Sequence, residues 1–569
     1  MKQHLLARCV ILWHTCFFRH FLVQAGSPQP HPSGVVRASS PLQFSSPQAH
    51  KFTVPTKLPQ MDFEIDPSYA GLIDISKSPH EQAKMFFWFI PTQSSIGAND
   101  LTLWSNGGPG CSSMIGAFQE NGPIMWDPGR IKGVKNPLQE HSLPSFGSSW
   151  HTRSSMLYVD HPVGVGYSVG NVVIENEIQV ADYLCRFLLA WLKVFPEMAG
   201  KNFYLAGESY AGMYLSYTAA AIHANKHQLP LSLQGLLLID AVFSDSLLQE
   251  QVPLYTFVEK HKNTFKFDER LMAKLNETDK RCGYSEYLHK VSQSTPDQHL
   301  VYPSRGLLPE LTLVCLESTA TSTQNPKQVK PQCNIVTMVG GYQPKDEPPS
   351  FARIPDLVSD TSTIQKEKKE TLSFKLTSIF RSPPDYVPSN IMWKKNFDYA
   401  LDTFLTYFDM IDVKDAFNIS GERKWHACMP SSDKSVRGCF LMCDGSGQLS
   451  LFPNGDQSSP PALTVLPEVI KKNKRTILAQ GSLDAILFMD GTKLALQNLT
   501  WDGATGFQSP IEQRFSLGGK PAGRYNTERG LTYVEVDDSG HKLPHDKPDA
   551  ALQIFAFLLG QLGSLSSPE

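Results

Sequence analysis

Lys201-Asn-Phe-Tyr-Leu-Ala-Gly-Glu-Ser-Tyr-Ala-Gly-Met-Tyr-Leu-Ser-Tyr-Thr-Ala-Ala-Ala-Ile-His223 is the stretch on which the fold turns. Phe203 to Ala206 is a short apolar run of buried-strand type, Gly207 breaks it, and Tyr214 to His223 is Ala-rich and predicts a helix. Ser209 therefore falls at a strand-to-helix turn, where a nucleophile elbow would hold a reactive hydroxyl. Such a turn is tight, so the residues two before and two after the serine must be small. Gly207 and Ala211 meet that need.

The same rhythm extends outward. Tyr69 to Ile75, Lys84 to Pro91, Leu101 to Ser105, Met156 to Asp160 and Leu233 to Asp240 read as strands, and Glu177 to Val194 as a helix. From about Ser246 to Pro388, prolines, cysteines and the charged run Lys366-Glu-Lys-Lys-Glu370 replace it, which predicts an insertion covering the sheet. The rhythm returns at Arg475 to Gly481 and Leu531 to Val536, and Pro548 to Leu559 closes as an apolar helix with proline at its start. Strands alternating with helices predict an α/β fold with a mixed, mostly parallel sheet flanked by helices.

Each late strand runs into a candidate partner for Ser209: Asp484 in Gly481-Ser-Leu-Asp484, and His541 in Ser539-Gly-His541. Singly, Asp484 would read as a helix cap and His541 as a turn histidine. Together they follow the order Ser, Asp, His of α/β-hydrolases, in loops beyond strand ends. A serine hydroxyl needs an imidazole to take its proton, and that imidazole needs a buried carboxylate to fix its tautomer. The loop Asn106-Gly-Gly-Pro-Gly-Cys-Ser-Ser113 follows another strand. It lacks the Lys-Ser/Thr of a P-loop and the GxGxxG spacing of a dinucleotide turn. Its consecutive glycines suit an oxyanion loop, whose backbone N–H groups approach a reacting carbonyl unobstructed.

Composition bounds the function. At 569 residues, 41% hydrophobic and 19% charged, the chain is long enough for one large α/β core with insertions. A formal net charge of -3 and the lack of a basic arm argue against nucleic acid as a partner. Residues 1–25 read as a signal peptide: Lys2, His4 and Arg8 precede a mostly apolar Cys9 to Phe18, and Val23-Gln-Ala25 suits cleavage. That apolar run is too short to span a bilayer. Residues 26–59, rich in Pro, Ser and Gln, read as a disordered linker or pro-segment. The remaining divisions are a first core part over 60–245, a mainly helical cap insertion over 246–388, a second core part over 389–563 and a tail over 564–569.

Beyond the leader, Cys111, Cys282, Cys315, Cys333, Cys428, Cys439 and Cys443 have the distribution of a disulfide framework of open connectivity. Cys185, in an amphipathic stretch, reads as a buried free thiol. Cys439 and Cys443 have no second pair at zinc-finger spacing, so no metal is called for. Asn276, Asn418 and Asn498 begin glycosylation sequons, in keeping with export.

The strings Asn106-Gly-Gly-Pro-Gly-Cys-Ser-Ser113, Gln119-Glu-Asn-Gly-Pro123, Gly207-Glu-Ser-Tyr-Ala-Gly212 and Ser539-Gly-His541, with Asp160-His-Pro-Val-Gly164 more loosely, resemble the signatures of the serine carboxypeptidases. The likeness runs from about Tyr69 to Leu562 and fades in the insertion; around Asp484 and from Gly491 to Trp501 it is greatest to fungal members. The resemblance implies an α/β-hydrolase fold and release of C-terminal amino acids from peptides through an acyl-enzyme, without a cofactor. By matching position it implies Ser209 as nucleophile, His541 as base and Asp484 as its orienter, with the N–H groups of Gly108 and Tyr210 as the oxyanion hole. Asn106 and Glu208 would hold the substrate's terminal carboxylate, with Glu120 beside Glu208 and Trp104 flanking.

That last assignment predicts a pH dependence. A carboxylate accepts another carboxylate only if a proton is carried or shared, and two facing glutamates can share one. Raising the pH removes that proton, so activity is expected to favour acid. Two departures stand out. After Leu238 the family usually has Gly-Asn-Gly or Gly-Asp-Gly, where this chain reads Ile239-Asp-Ala241, with consequences for the cleft wall. Lys542 follows His541 where the family commonly has an apolar residue; it would either favour acidic leaving residues or reach solvent. Acyl transfer or esterase action on the same triad, and a non-catalytic binding glycoprotein, are the alternatives. Retention of Asn106, Glu208 and Glu120 favours the peptidase. The expected setting is the secretory pathway, outside the cell or in a vacuole or lysosome, as monomer or homodimer.

Overall fold

Alternation within the strands builds the core. In the computed structural model, Lys84–Ile90 directs Met85, Phe87 and Phe89 to one face of the sheet and Phe86, Trp88 and Ile90 to the other, and all six are fully buried. A strand buried on both faces reads as a continuous apolar run, and that run is covered by helices on each side. The structure describes residues 44, 46–126, 142–144, 148–224, 228–265, 267–292, 335, 407–421, 423–429, 451–453 and 455–566. The expected signal peptide, most of the expected cap insertion and Cys315, Cys333, Cys439 and Cys443 lie outside them.

Among the described residues, eleven strands form one sheet. In chain order they are β1 Thr53–Val54, β2 Ser68–Asp74, β3 Lys84–Ile90, β4 Asp100–Ser105, β5 Ser155–Val159 and β6 Asn202–Glu208. They continue as β7 Ser232–Ile239, β8 Arg475–Gly481, β9 Gln513–Leu517, β10 Lys520–Glu528 and β11 Leu531–Val536. The spatial order is β1-β2-β3-β5-β4-β6-β7-β8-β11-β10-β9. The six central strands from β5 to β11 are mutually parallel, and the outer pairings at both edges are antiparallel. The antiparallel β9–β10 hairpin is a feature that sequence reading missed. Its signal was Gly518-Gly519, whose φ values of +50 and +78° suit the left-handed two-residue turn that joins twisted strands.

Helices α2 (Glu177–Val194) and α3 (Ala211–His223) cover one face through Leu184, Phe187, Trp191, Tyr214 and Leu215. Asn176 caps α2 by accepting from the Gln179 N–H at 3.1 Å. The other face is covered by α1 (Met114–Gln119) and by Pro548–Leu558, whose Phe555 stacks on Trp150 with centroids 4.1 Å apart. Cap helices Val252–Lys260, Glu269–Cys282 and Tyr284–Ser292 form a third cluster, packed through Phe257 against Phe488 and thus onto the segment after Asp484.

The expectation of a linker or pro-segment over 26–59 is corrected in its later part. Phe44, Ala49, Val54 and Leu58 are buried, β1 pairs with β2, and Phe44 contacts Tyr69 and Phe195 edge-on at 5.1 and 5.3 Å. These few apolar residues, spaced among polar ones, find cover at the sheet edge that local composition does not report. Cys111 and Cys428 form a disulfide across 317 residues, Cys282 is also disulfide-bonded, and Cys185 is a buried free thiol.

Candidate active site

Register places the site. Glu208 stands beside Ile239, Ile239 beside Ala479, and Gly481 beside Val536, so the ends of β6, β7, β8 and β11 align along one edge. Ser209 and Asp240 follow directly on the ends of β6 and β7, Asp484 lies three residues beyond β8 and His541 five residues beyond β11. Backbone bonds stitch the loops together: Ser209 N–H donates to Ile239 O at 3.0 Å, Asp240 N–H to Ala479 O at 2.8 Å and Leu483 N–H to Ser539 O at 2.7 Å. Open α/β sheets hold their sites at this carboxyl edge.

Ser209 has φ +62°, a left-handed conformation that is costly for a residue with a Cβ. The turn is held because Ser209 O accepts from both Gly212 N–H and Val242 N–H at 3.0 Å. The missing Gly-x-Gly turn is thereby resolved: Asp240 itself takes a positive φ of +44°, and Val242 still closes onto the elbow.

Asp484 is fully buried and accepts four hydrogen bonds. Oδ1 takes the N–H groups of Ile486 and Leu487 at 2.8 and 3.1 Å; Oδ2 takes Gln480 Nε2 at 3.1 Å and pairs with His541 Nδ1 at 2.9 Å. The other imidazole nitrogen, His541 Nε2, is buried and has no hydrogen-bond partner among the described residues. The structure thus joins Asp484 to His541 and leaves Nε2 bare, while Ser209 Oγ makes no hydrogen bond to it. Gln480, which orients Asp484 and is itself held by Thr492 Oγ1 at 2.8 Å, was not singled out from sequence. Nothing in the sequence marks it but its place in the strand before Asp484.

The Asn106–Ser113 loop lies backbone-to-backbone on the elbow. A Cβ at Gly107 would stand 2.3 Å from Tyr210 N and 2.9 Å from Ser209 Cβ. Among the described residues, the N–H groups of Gly108 and Tyr210 donate to no protein acceptor. Asp160 anchors the loop from below. Its carboxyl accepts from Ser112 Oγ at 2.5 Å, Ser113 N–H at 3.1 Å and Tyr167 N–H at 3.0 Å, and burial pushes it up to about 7. His161 Nε2 and Ser105 Oγ lie 2.7 Å apart, and burial lowers that imidazole to about 3.

Asn106 is fixed by its own carbonyl, which accepts from Trp104 Nε1 at 2.8 Å and Gly116 N–H at 2.9 Å. Its amide then points at Glu120 and donates to Oε1 at 3.0 Å. Trp104 therefore orients Asn106 from behind. Glu120 Oε2 and Glu208 Oε2 are buried without partners. Burial, then the charge and proximity of Glu120, hold the Glu208 carboxyl well above the usual range, and Lys542 partly offsets them. Lys542 does not reach solvent: it is 8% exposed, and its Nζ donates to Gln119 Oε1 at 3.0 Å. Asp240 is likewise raised by burial and by Asp484, although its Oδ1 accepts from Gly481 N–H at 2.7 Å.

Of the sequons, Asn418 is exposed but donates its amide to Thr53 O and Ala70 O at 3.2 and 3.1 Å, and Asn276 and Asn498 are half-buried. No metal cluster and no membrane-spanning helix occur among the described residues.

The serine carboxypeptidase family model matches residues 59–561. A probable serine carboxypeptidase of Arthroderma benhamiae is 32% identical over 533 residues, covering 90% of this chain and 86% of that protein. Serine-type carboxypeptidase F of Aspergillus niger is 30% identical over 531 residues, 89% of this chain and 86% of its own. The crystal structure of a prohormone-processing carboxypeptidase from Saccharomyces cerevisiae superposes with TM-score 0.60 at 21% identity, covering 90% of this chain and 97% of that one.

Proposed function

Because the chain belongs to the serine carboxypeptidase family and has its α/β-hydrolase fold, we propose that it releases C-terminal residues with Ser209 as nucleophile, His541 as base and Asp484 as orienter. Ser209 Oγ attacks the last peptide carbonyl while His541 Nε2 takes its proton. Asp484 holds Nδ1–H, so the bare nitrogen is the basic one. The carbonyl oxygen gains negative charge against the N–H groups of Gly108 and Tyr210. The peptide C–N bond breaks as His541 returns the proton to the departing amine, and water then resolves the acyl-enzyme by the same relay.

Exopeptidase restriction would come from the Asn106–Glu120–Glu208 pocket. Asn106 donates to the terminal carboxylate, and a proton held between Glu208 and Glu120 supplies a second donor. Glu208 is raised, so this donor is present in acid and lost as pH rises through its titration. Activity therefore favours acidic pH. An exported protein of an acidic compartment, glycosylated on the exposed Asn418, fits that reading.

The observation that carries the proposal is His541, with one nitrogen on Asp484 and the other buried and bare beside the Ser209 elbow's strand edge. Digestion of an unblocked-terminus peptide, followed by mass spectrometry, tests it. Loss of single residues from the carboxyl end, abolished in Ser209→Ala, is the expected result. Internal cuts only, or activity surviving in Ser209→Ala, would overturn it.

A further inference from the structure

A hydrogen-bond donor that serves a reacting oxygen cannot be held by a hydrogen bond of its own. The Tyr210 N–H has no protein acceptor among the described residues, and Ser209 before it, at φ +62°, is a strained residue that depends on its surroundings. Tyr210 must therefore be fixed through its carbonyl and its side chain. The carbonyl accepts from Met213 N–H at 3.0 Å, within the first turn of α3. The hydroxyl donates to Asp456 Oδ2 at 2.7 Å, across 246 positions of chain. Burial, then the charges of Asp456 and Glu177, hold the phenol well above its usual range, so it remains a donor.

Asp456 is itself held at both oxygens. Its Oδ1 accepts from Ser458 N–H at 2.9 Å, which closes a tight turn. Gln457 N–H donates to Glu175 O at 2.9 Å and Glu177 N–H to Ser458 Oγ at 2.6 Å, so residues 456–458 are laid against the start of α2. Further along α3, Tyr217 Oη donates to Ser459 O at 2.8 Å. The fully buried Glu177 carboxyl lies within hydrogen-bonding reach of Asp456, and neither of its oxygens has another partner among the described residues. Burial and Asp456 hold it well above the usual range, so it meets Asp456 as a carboxyl and not as a second negative charge. Tyr214, whose ring centroid lies 5.3 Å from that of Tyr210, accepts Gly110 N–H at 2.9 Å. Two tyrosines one helical turn apart thus hold the two loops of the oxyanion hole, one on the glycine loop and one on Asp456.

The geometry points to Asp456 as a positioning residue of the oxyanion hole: by accepting the Tyr210 hydroxyl, it fixes the residue whose N–H is the elbow's donor. This role rests on the reading of Gly108 and Tyr210 given above.

The test compares Asp456→Ala, Asp456→Asn, Tyr210→Phe and the double variant Asp456→Ala/Tyr210→Phe with the wild type. kcat and KM are measured on a blocked dipeptide, with active sites counted by phosphonate titration. Ki is measured for a peptide aldehyde, whose adduct with the serine carries an oxygen in the oxyanion position. Asp456→Ala and Tyr210→Phe are each expected to lower kcat about tenfold and to weaken the aldehyde by the same factor, with KM within about twofold. An amide oxygen still accepts from the phenol, so Asp456→Asn is expected to stay within about threefold of the wild type. The double variant is expected to be no worse than either single one, since both remove the same bond. Wild-type kcat in a folded Asp456→Ala, a loss confined to KM, a kcat loss without weaker aldehyde binding, or losses that multiply in the double variant each overturn the inference and leave the peptidase intact. A lowered melting temperature with unchanged kcat also overturns it and reduces Asp456 to a structural anchor. If Asp456→Ala does not fold, Tyr210→Phe decides: wild-type kcat overturns the inference, and matched losses in kcat and aldehyde affinity support it. A wild-type enzyme that releases no terminal residue instead removes the reading on which it rests.

Discussion

At the scale of the residue, this site depends on where protons are held. In the proposed reading Glu208 acts as a carboxyl, not a carboxylate, and its burial beside Glu120 raises it in the direction that role needs. Glu208→Gln tests this directly, because an amide donates to a terminal carboxylate at every pH. The fall in kcat/KM toward alkaline pH is expected to flatten, with values in acid within about tenfold of the wild type. A profile as steep as the wild type's would assign the titration elsewhere. Sequence made Ser209, Asp484, His541, Asn106, Glu120 and Glu208 legible, since each stands in a motif whose chemistry demands that residue type. Gln480 and Asp160 were not so legible. Asp160 acts through a partner distant in the chain, Ser112 across 48 positions, while Gln480 holds the nearby Asp484 and Thr492 without any motif to mark it.

At the scale of the element, the decisive contact is between the Asn106–Ser113 loop and the start of α3. The loop is pinned by Asp160 on one side and by the disulfide from Cys111 to Cys428 on the other. Gly107 permits its approach, since a Cβ there would stand 2.3 Å from Tyr210 N. Gly107→Ala is therefore expected to displace the Tyr210 N–H, one of the two proposed oxyanion donors, and lower kcat by about 10²–10³ with little change in KM. Unaltered kcat in a folded variant would place the oxyanion hole elsewhere. The strands and helices of the central sheet were legible because buried parallel strands are continuous apolar runs. The β9–β10 hairpin was missed because its strands are partly exposed and weakly patterned, and the edge strand β1 because it is only two residues long.

At the scale of the whole molecule, buried acids set the pH at which the fold is most stable. Burial raises Asp160 to about 7 and holds Glu177, Glu208 and Asp240 well above the usual range. A carboxyl whose folded pKa exceeds its unfolded one stabilises fully below the unfolded value and loses that contribution as pH rises through the folded one. The melting temperature is therefore expected to fall by several degrees between about pH 5 and about pH 8. A flat or rising melting temperature over that window would count against these assignments. The amino-acid sequence by itself determined the family, the alternation of strands and helices, and the residues proposed for the relay, because these follow from local pattern and fixed motifs. Only the tertiary structure decided that Phe44 to Leu58 joins the core, that Cys111 pairs with Cys428, and that Lys542 turns inward to Gln119. Those outcomes depend on surfaces that other segments contribute, 317 positions away for Cys111 and Cys428 and 423 for Lys542 and Gln119, and no stretch of chain carries a record of what will be packed against it.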